Sequence, residues 1–237
     1  HWETGSGRIN DIHGFNEACQ KFGVMGMVDA VSSLGIEYFD IDDYPAVVAW
    51  SSCPQKGILC LPLTYAPVSF RDEAFQVVKK RGCRTYGHHP VLEARHWGII
   101  NGKDGDPTYH RTHSCYSVAA FHEALRILLQ HGREQKASDY AYHEKALRLA
   151  VEAMGCEVTS NMTSLVVLNL PGKLAGLEKD LVAKCREEYF GIWPTLSSPV
   201  QVRIGILNQL NQEAIVDTLI NKLKLVIDET DIYTCLL

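Results

Sequence analysis

The sequence predicts an α/β protein with a mostly parallel sheet in its first half. Two observations lead to this expectation. A stretch with helical spacing of its apolar residues, Ile9 to Phe22, is followed at once by a short apolar run at residues 23–29. A second short apolar run occupies Ala46 to Trp50. Helices that alternate with buried strands are typical of parallel sheets, because each helix carries the chain from one strand to the next.

The sequence marks both ends of the first helix. Asn10 or Asp11 is the expected N-cap, and Gly23 is the expected residue at which the helix ends. After the first strand, residues 38–43 form a polar and acidic connection to the second strand. Two helix boundaries and two strands are thus predicted within the first fifty residues.

The next part of the chain is less regular. Residues 58–70 are apolar but contain two prolines, which favours a broken or edge strand over a central one. A helix is expected from about Ser69 to Arg81, ended by Gly82. Residues 83–107 are rich in Gly, His and Pro and show no period, so we expect them to be loop.

The second half is predicted to form a smaller α+β unit. The expected elements are helices at 117–131 and 134–154, a strand at 165–170, a helix at 174–189, a strand at 200–206 and a last helix capped by Asn211. In the strand at 200–206 apolar and other residues alternate, so Arg203 is expected to face away from the apolar side.

Composition and charge narrow the class of protein. The 237 residues are 46% hydrophobic and 22% charged, which is ordinary for a soluble globular chain. A net charge of −5 argues against a nucleic-acid or anionic membrane partner attracted by bulk charge. The eight cysteines lack the close pairs of a zinc site or a disulfide scaffold. We therefore expect reduced thiols and a cytoplasmic location, with peroxisome and mitochondrion left open.

Each of the two apolar runs of the first half is followed by a charged residue among small ones. Asp29 ends the first run, and Lys56 follows the second. Ligands of open α/β sheets lie beyond the carboxyl ends of the strands, so these two residues are placed to share a ligand. Pyridoxal phosphate needs both, because a lysine forms a Schiff base with it and a carboxylate keeps its pyridine nitrogen protonated. The alternative is a pair of solvated strand ends.

Five segments occur in the order and at the intervals of a known family: His1–Gly7, Val28–Gly35, Ser52–Gly57, Tyr109–Thr112 and Val202–Ile206. Together they resemble the class V, fold-type I pyridoxal-phosphate aminotransferases, nearest the alanine–glyoxylate and serine–glyoxylate (serine–pyruvate) branch. The resemblance implies the C-terminal part of a large cofactor-binding domain with a bridging helix at 1–132, and a small α+β C-terminal domain at 133–237. The family motif starts at His1, so the N-terminal part of the large domain is expected to be missing, with its phosphate-binding turn and stacking aromatic ring.

The resemblance also implies roles for single residues. Lys56 is the catalytic lysine that bonds to pyridoxal 5′-phosphate, and Asp29 pairs with the pyridine nitrogen. Val31 packs against one face of the ring. Thr4 hydrogen-bonds near the phenolic oxygen, and Gln55 helps to hold the phosphate. The alternatives are an exposed loop lysine, an aspartate that caps a helix, an ordinary core valine and solvated polar side chains.

Two further matches concern a neighbouring subunit and the substrate. Tyr109 and Thr112 resemble a pair that reaches the phosphate of the neighbouring subunit's cofactor, which implies a homodimer with a shared active site. The alternative is a tyrosine at a helix entry and an N-cap threonine. Arg203 matches the family's substrate arginine. A planar guanidinium suits this role, because it can bind an α-carboxylate through two parallel hydrogen bonds. The alternative is an exposed strand arginine in a salt bridge.

The chain departs from the family pattern at three places, which puts the choice of substrate in doubt. Cys53-Pro54 stands where serine or glycine is usual, Arg111 replaces the second histidine of its motif, and Gly191-Ile192-Trp193-Pro194 precedes the substrate arginine. Five histidines lie between residues 88 and 113, in predicted loop and without the fixed spacing of metal ligands, so no metal site is expected.

The implied activity is transamination between a small amino acid, alanine or serine, and a 2-oxo acid, glyoxylate or pyruvate. One alternative is 2-aminoethylphosphonate–pyruvate transamination, whose members share a similar His-x-Glu-Thr opening. Another is a truncated chain that is not catalytic alone and acts as a subunit of a pyridoxal-phosphate enzyme.

Overall fold

The computed structural model describes residues 1–58, 65–100, 108–187, 192–194, 201–207, 217–218, 220–224 and 228. Within these ranges the chain is α/β, as predicted. The helices are α1 (Ile12–Phe22), α2 (Asp72–Arg81), α3 (Pro90–His96), α4 (Cys115–His131), α5 (Arg133–Ala153) and α6 (Glu178–Glu187). The strands are β1 (Trp2–Glu3), β2 (Arg8–Ile9), β3 (Gly26–Asp29), β4 (Val47–Ser51), β5 (Val68–Phe70), β6 (Glu157–Val158), β7 (Leu165–Asn169), β8 (Ile192–Pro194) and β9 (Gln201–Gly205).

These strands form three sheets across the described ranges. The opening hairpin pairs β1 with β2, a second sheet has the order β3-β4-β5, and a third has the order β6-β7-β9-β8. β3 runs parallel to β4, which confirms the predicted parallel pair, whereas β5 is antiparallel to β4 at the edge of that sheet. All pairings in the third sheet are antiparallel.

α1 begins and ends where the sequence predicted. Asp11 is the N-cap, and its Oδ1 accepts the N–H of Gly14 at 2.9 Å. Gly23 has a φ of 62° in the left-handed region, and its N–H closes the last turn. The chain therefore leaves α1 in a defined direction and enters β3 three residues later.

The two parallel strands are buried to different extents. Val47 to Trp50 of β4 are all buried, as predicted for a central strand. β3 was expected to be buried as well, and this is wrong for one face, because Met27 is 71% exposed. Only the face that carries Val28 packs against the aromatic side chain of Trp50 and its apolar neighbours.

α3 occupies residues that were expected to be loop, so that prediction was wrong for 90–96. Pro90 stands at the first position of the helix, where its missing N–H costs nothing. Val91 and Ala94 are the buried residues of the helix. Seven residues make only about two turns, too few for a period to appear among the flanking Gly, His and Pro residues.

The predicted helices and strands of the second half are confirmed at most positions. The helix expected from residue 174 begins at Glu178, after a 3₁₀ turn at Gly172–Leu174. The core here comprises Leu147, Val151, Val166, Leu168, Leu181, Val202 and Ile204, among others. Asn211, the expected cap of the last helix, lies outside the described residues. No helix in the part of the chain that the structure describes is long and apolar enough to cross a bilayer.

The opening hairpin packs against the third sheet. Trp2 is buried in one apolar cluster with Tyr140 and Val167. Gly7 has a φ of 68°, and a Cβ on it would lie 2.5 Å from Cβ of Ser160, so this tight crossing requires glycine. The first residues of the chain therefore lie on the sheet that carries Arg203. The domain division between residues 132 and 133 stays a prediction.

Candidate active site

Asp29 lies at the end of β3, where the strand gives way to a turn. It is in register with Ser51 of β4, and its side chain is exposed. Its Oδ1 accepts the N–H of Val31 at 2.8 Å, which fixes the direction of the carboxylate. Residues 31–33 form a turn and no helix, so the helix N-cap alternative does not hold. The main-chain carbonyl of Asp29 accepts a hydrogen bond from the His1 nitrogen at 2.7 Å.

Lys56 lies in the turn immediately beyond β4, at the same edge of the sheet. Its Nζ donates to Oγ of Ser32 at 3.3 Å. Ser32 is only three residues beyond Asp29, so the amine lies against the loop that follows the carboxylate. The alternative of an exposed loop lysine does not hold, because Lys56 is half-buried.

The two loops that carry these residues touch through their backbones. A Cβ on Gly57 would lie 2.0 Å from the carbonyl oxygen of Leu34, and one on Gly35 would lie 2.6 Å from the carbonyl oxygen of Gly57. Nearer the strands, the N–H of Ala30 donates to the carbonyl of Ser51 at 2.7 Å. Glycine at both contact points therefore sets the loop of Lys56 directly against the loop that follows Asp29.

Three more predicted residues lie close in sequence to these contacts. Gln55 immediately precedes Lys56 and is exposed. Val31 is half-buried, but it lies in a turn and does not continue the strand as expected. Thr4 is half-buried in the opening hairpin. Their contacts with a cofactor stay predictions.

Arg203 lies in β9, between β7 and β8 in the third sheet. Its neighbours Val202 and Ile204 are buried, whereas Arg203 is half-buried on the other face, as the alternation predicted. Its Nη1 donates to the carbonyl of Thr4 at 3.0 Å. Among the described side chains no carboxylate pairs with it, so the salt-bridge alternative does not hold, and its remaining donors are open to a ligand.

The opening hairpin connects the two parts of the candidate site. The His1 nitrogen binds the carbonyl of Asp29, and the carbonyl of Thr4 binds Arg203. Lys56 joins the same group of contacts through Ser32. The opening hairpin thus contacts the backbone of Asp29 and the side chain of Arg203, and Lys56 contacts the loop that follows Asp29.

Tyr109 and Thr112 lie elsewhere, in the segment before α4. Their hydroxyl oxygens are 2.6 Å apart, and both residues are exposed. They line an open groove of about 650 Å³. Ser114 is the N-cap of α4, so the N-cap alternative for Thr112 does not hold.

Glu93 of α3 holds the same segment in place, and the sequence did not indicate it. Its Oε1 accepts a hydrogen bond from Nε of Arg111 and lies 3.0 Å from Nδ1 of His110, while Oε2 lies 3.1 Å from Nε2 of His113. Partial burial acts to raise the pKa of Glu93, but the hydrogen bond and charge of Arg111, with the charges of both histidines, hold that pKa below its usual value. No group of three or more His, Cys, Asp or Glu residues in the described ranges has metal-binding geometry.

The depressed pKa of Glu93 makes stability depend on pH in one direction. The folded chain holds the ionised form more strongly than the unfolded chain, so the contribution of Glu93 is present above the unfolded value of about 4.5 and is lost as pH falls through the lower folded value. We expect the Tm of the wild type to fall more steeply below about pH 4.5 than that of Glu93→Gln. Thermal melts at a series of pH values measure this, and parallel curves would contradict it.

Comparison with known proteins identifies relatives of the whole described fold. No protein-family model matches the chain. Over 194 residues it is 24% identical to (S)-ureidoglycine–glyoxylate transaminase of Bacillus subtilis, which covers 74% of this chain and 46% of that protein. Over 149 residues it is 29% identical to alanine–glyoxylate aminotransferase of Oryctolagus cuniculus, covering 60% of this chain and 36% of that protein.

Solved structures share the fold over almost the entire chain. Ureidoglycine–glyoxylate aminotransferase from Bacillus subtilis matches with a TM-score of 0.84 and 21% identity, over 97% of this chain and 59% of that one. Alanine–glyoxylate aminotransferase from Nostoc sp. matches with a TM-score of 0.82 and 24% identity, over 96% and 60%. The chain is thus similar in sequence to two glyoxylate aminotransferases and shares the fold of solved aminotransferase structures. It spans about half the length or less of the two curated relatives, so it corresponds to part of such a protein.

Fold-type I aminotransferases use pyridoxal phosphate, so the similarity makes this the cofactor to test against the residues present. The residues present fit such a group. Lys56 is half-buried at the carboxyl edge of the sheet, and the Asp29 carboxylate is fixed beside the adjoining loop. In that loop Oγ of Ser33 is fully buried and lacks a hydrogen-bond partner in the described part of the chain. An amine, a carboxylate and an unsatisfied hydroxyl within one pair of loops match the needs of a polar ring with an aldehyde.

Proposed function

We propose that this chain carries the lysine-bearing part of a pyridoxal-phosphate aminotransferase. Its reaction transfers an amino group between a small amino acid, alanine or serine, and a 2-oxo acid, glyoxylate or pyruvate. The observation that carries the proposal is the Lys56 amine 3.3 Å from Ser32, in the loop that follows Asp29 at the carboxyl end of the parallel pair. The names of two relatives, which contain glyoxylate, support the choice of acceptor.

The roles of the side chains follow from the needs of this chemistry. When bound, pyridoxal phosphate supplies an electron sink for the negative charge that develops at the substrate α-carbon. Lys56 would hold the cofactor covalently and, once the amino donor has displaced it, would move the α-proton as a general base and acid. Asp29 would keep the proton on the pyridine nitrogen. Ser32 is placed to orient the lysine amine.

The remaining predicted residues would hold the ring and the substrate. Val31 would pack against one face of the ring, Thr4 would donate near the phenolic oxygen, and Gln55 would bind the phosphate. Arg203 would bind the α-carboxylate of the substrate, since its guanidinium is half-buried and has only a carbonyl as its described partner.

Completion of the site requires a second copy of the protein in this proposal. Tyr109 and Thr112 are exposed and hydrogen-bonded to each other. Their hydroxyls would reach the phosphate of the cofactor held by the partner subunit. The protein would accordingly be a homodimer with shared active sites.

Replacing Arg203 by glutamine is expected to raise KM for the amino acid about 10- to 100-fold, with a smaller change in kcat. The reason is the loss of a charge-assisted bidentate bond, worth about 1.5–3 kcal/mol. Steady-state kinetics with the amino donor measure this effect. Arg203→Lys keeps the positive charge but lacks the two parallel N–H donors of a guanidinium, so it should recover only part of the affinity.

An amino donor that lacks a carboxylate distinguishes the loss of substrate binding in Arg203→Gln from structural damage caused by the substitution. Its KM should be the same in the wild type and in Arg203→Gln. An equal loss for both donors would mean that the substitution acts through the bond between Arg203 and the Thr4 carbonyl, and would contradict the proposed role.

A donor and acceptor panel tests the function as a whole. The full chain is loaded with pyridoxal phosphate and assayed with alanine, serine and 2-aminoethylphosphonate as donors and with glyoxylate and pyruvate as acceptors. We expect visible absorbance of the bound cofactor, and turnover with alanine or serine. Turnover with 2-aminoethylphosphonate alone would favour that alternative, and absence of both cofactor binding and turnover would contradict the proposal.

A second candidate function is that of a subunit that is not catalytic by itself. The chain matches 36–46% of the length of the two curated relatives. In this case the chain would bind pyridoxal phosphate through Lys56 without turnover, and activity would appear only in a longer protein or in a complex that contains the remaining part. Comparing this chain with such a preparation in the same panel decides between the two candidates.

A further inference from the structure

Arg111 lies between Tyr109 and Thr112 in the sequence and lines the same groove. Its Nε donates to Oε1 of Glu93, and its side chain is 41% exposed. Within the part of the chain that the structure describes, neither terminal nitrogen of this guanidinium has a hydrogen-bond partner. One edge of the guanidinium is therefore held by α3, and the terminal N–H groups are available to a ligand in the groove.

The hydroxyl pair beside Arg111 adds another donor. Tyr109 and Thr112 share one hydrogen bond of 2.6 Å between their hydroxyl oxygens. Only one of the two hydroxyl hydrogens is used in that bond, so the other can be donated to a ligand. A guanidinium with free N–H groups next to a free hydroxyl hydrogen is the donor set that binds phosphate oxygens.

The two carboxylates near this groove are each paired with an arginine. Glu93 is shared by Arg111, His110 and His113. Glu123 also lines the groove, but it pairs with Arg126 at 2.6 Å. Each carboxylate thus has an arginine partner, and the pairing of Glu93 uses Nε of Arg111 and leaves its two terminal nitrogens for a ligand.

We propose that Arg111 is a phosphate-binding residue that acts with Tyr109 and Thr112. The ligand is the phosphate monoester of the cofactor carried on Lys56 of a second copy of this chain. This inference rests on the proposed function and adds to it a guanidinium whose terminal N–H groups donate to the phosphate oxygens. Glu93 has a positioning role, since it holds Nε so that the terminal nitrogens stay directed to the groove.

The test compares the full chain with Arg111→Gln and with Arg133→Gln, a matched loss of one exposed arginine at the start of α5, outside the groove. Binding of pyridoxal phosphate and of pyridoxal is measured by absorbance titration. We expect Arg111→Gln to weaken pyridoxal phosphate about 10- to 100-fold and to leave pyridoxal, which lacks the phosphate, unchanged. Inorganic phosphate should raise the Tm of the wild type and of Arg133→Gln, but not that of Arg111→Gln.

Two results would overturn the proposal. One is equal weakening of pyridoxal phosphate and pyridoxal, or no weakening of either. The other is a rise of the Tm of Arg111→Gln with inorganic phosphate that equals the rise in the wild type. Binding of inorganic phosphate through Arg111 in a chain that does not bind pyridoxal phosphate would refute the proposed function and leave the anion site standing. Binding of pyridoxal phosphate that does not depend on Arg111 would refute the role of Arg111 and leave the proposed function standing.

Discussion

Lys56→Ala is expected to lower kcat/KM for transamination by at least about a thousand-fold, because one amine is proposed both to hold the cofactor and to move the α-proton. The visible absorbance of the bound cofactor should disappear in the same variant. Stability should change little, since Lys56 lies in a half-buried turn at the edge of the sheet and not in a core cluster. Steady-state assays, absorbance spectra and thermal melts measure the three effects separately.

The matched control is Lys145→Ala, which removes an exposed lysine of α5 and should leave all three measurements at wild-type values. Lys56→Arg keeps a positive charge next to Ser32 but cannot bond covalently to an aldehyde, so it should be as inactive as the alanine variant. A small primary amine added to Lys56→Ala should restore part of the proton transfer. Wild-type turnover by either Lys56 variant would show that another amine carries the reaction.

Gly57→Ala is expected to damage both stability and activity. The new Cβ would lie 2.0 Å from the carbonyl oxygen of Leu34, so one of the two loops has to move. Overpacking of this kind costs about 1–3 kcal/mol in the free energy of unfolding. Lys56 is the adjacent residue, and a displacement of about 1 Å at a reacting group can lower the rate about a hundred-fold.

Urea unfolding and kcat measure these two effects of Gly57→Ala. Gly87→Ala is the control, because a Cβ on Gly87 would meet no atom within 4 Å and its φ lies outside the left-handed region. If Gly57→Ala kept the stability and the activity of Gly87→Ala, the backbone contact between the two loops would have no part in positioning the lysine.

The local elements of the first half could be predicted because their signals are local. The cap at Asp11 and the end of α1 at Gly23 depend on the residue type at a helix end. The placement of Asp29 and Lys56 at one edge follows from a general property of parallel strands, whose carboxyl ends lie on the same side of a sheet. These predictions required no knowledge of packing.

The exposure of β3 and the existence of α3 could not be predicted in the same way. Met27 belongs to an apolar run, but its burial depends on what covers that face of the sheet. α3 is too short to show a period, and its buried residues Val91 and Ala94 are two small apolar side chains. Glu93 acquired its partners only because this helix lies against the segment before α4.

Residue type and spacing along the chain were enough to predict the α/β order of elements, both ends of α1 and the candidate pair of Lys56 and Asp29. Only the tertiary structure decided that Arg203 contacts the carbonyl of Thr4, 199 residues away, and that Gly57 presses against the backbone of Leu34. Such contacts join segments whose separation in sequence carries no spacing signal. Their geometry results from packing, which sets the opening hairpin against the end of β3 on one side and against Arg203 of β9 on the other.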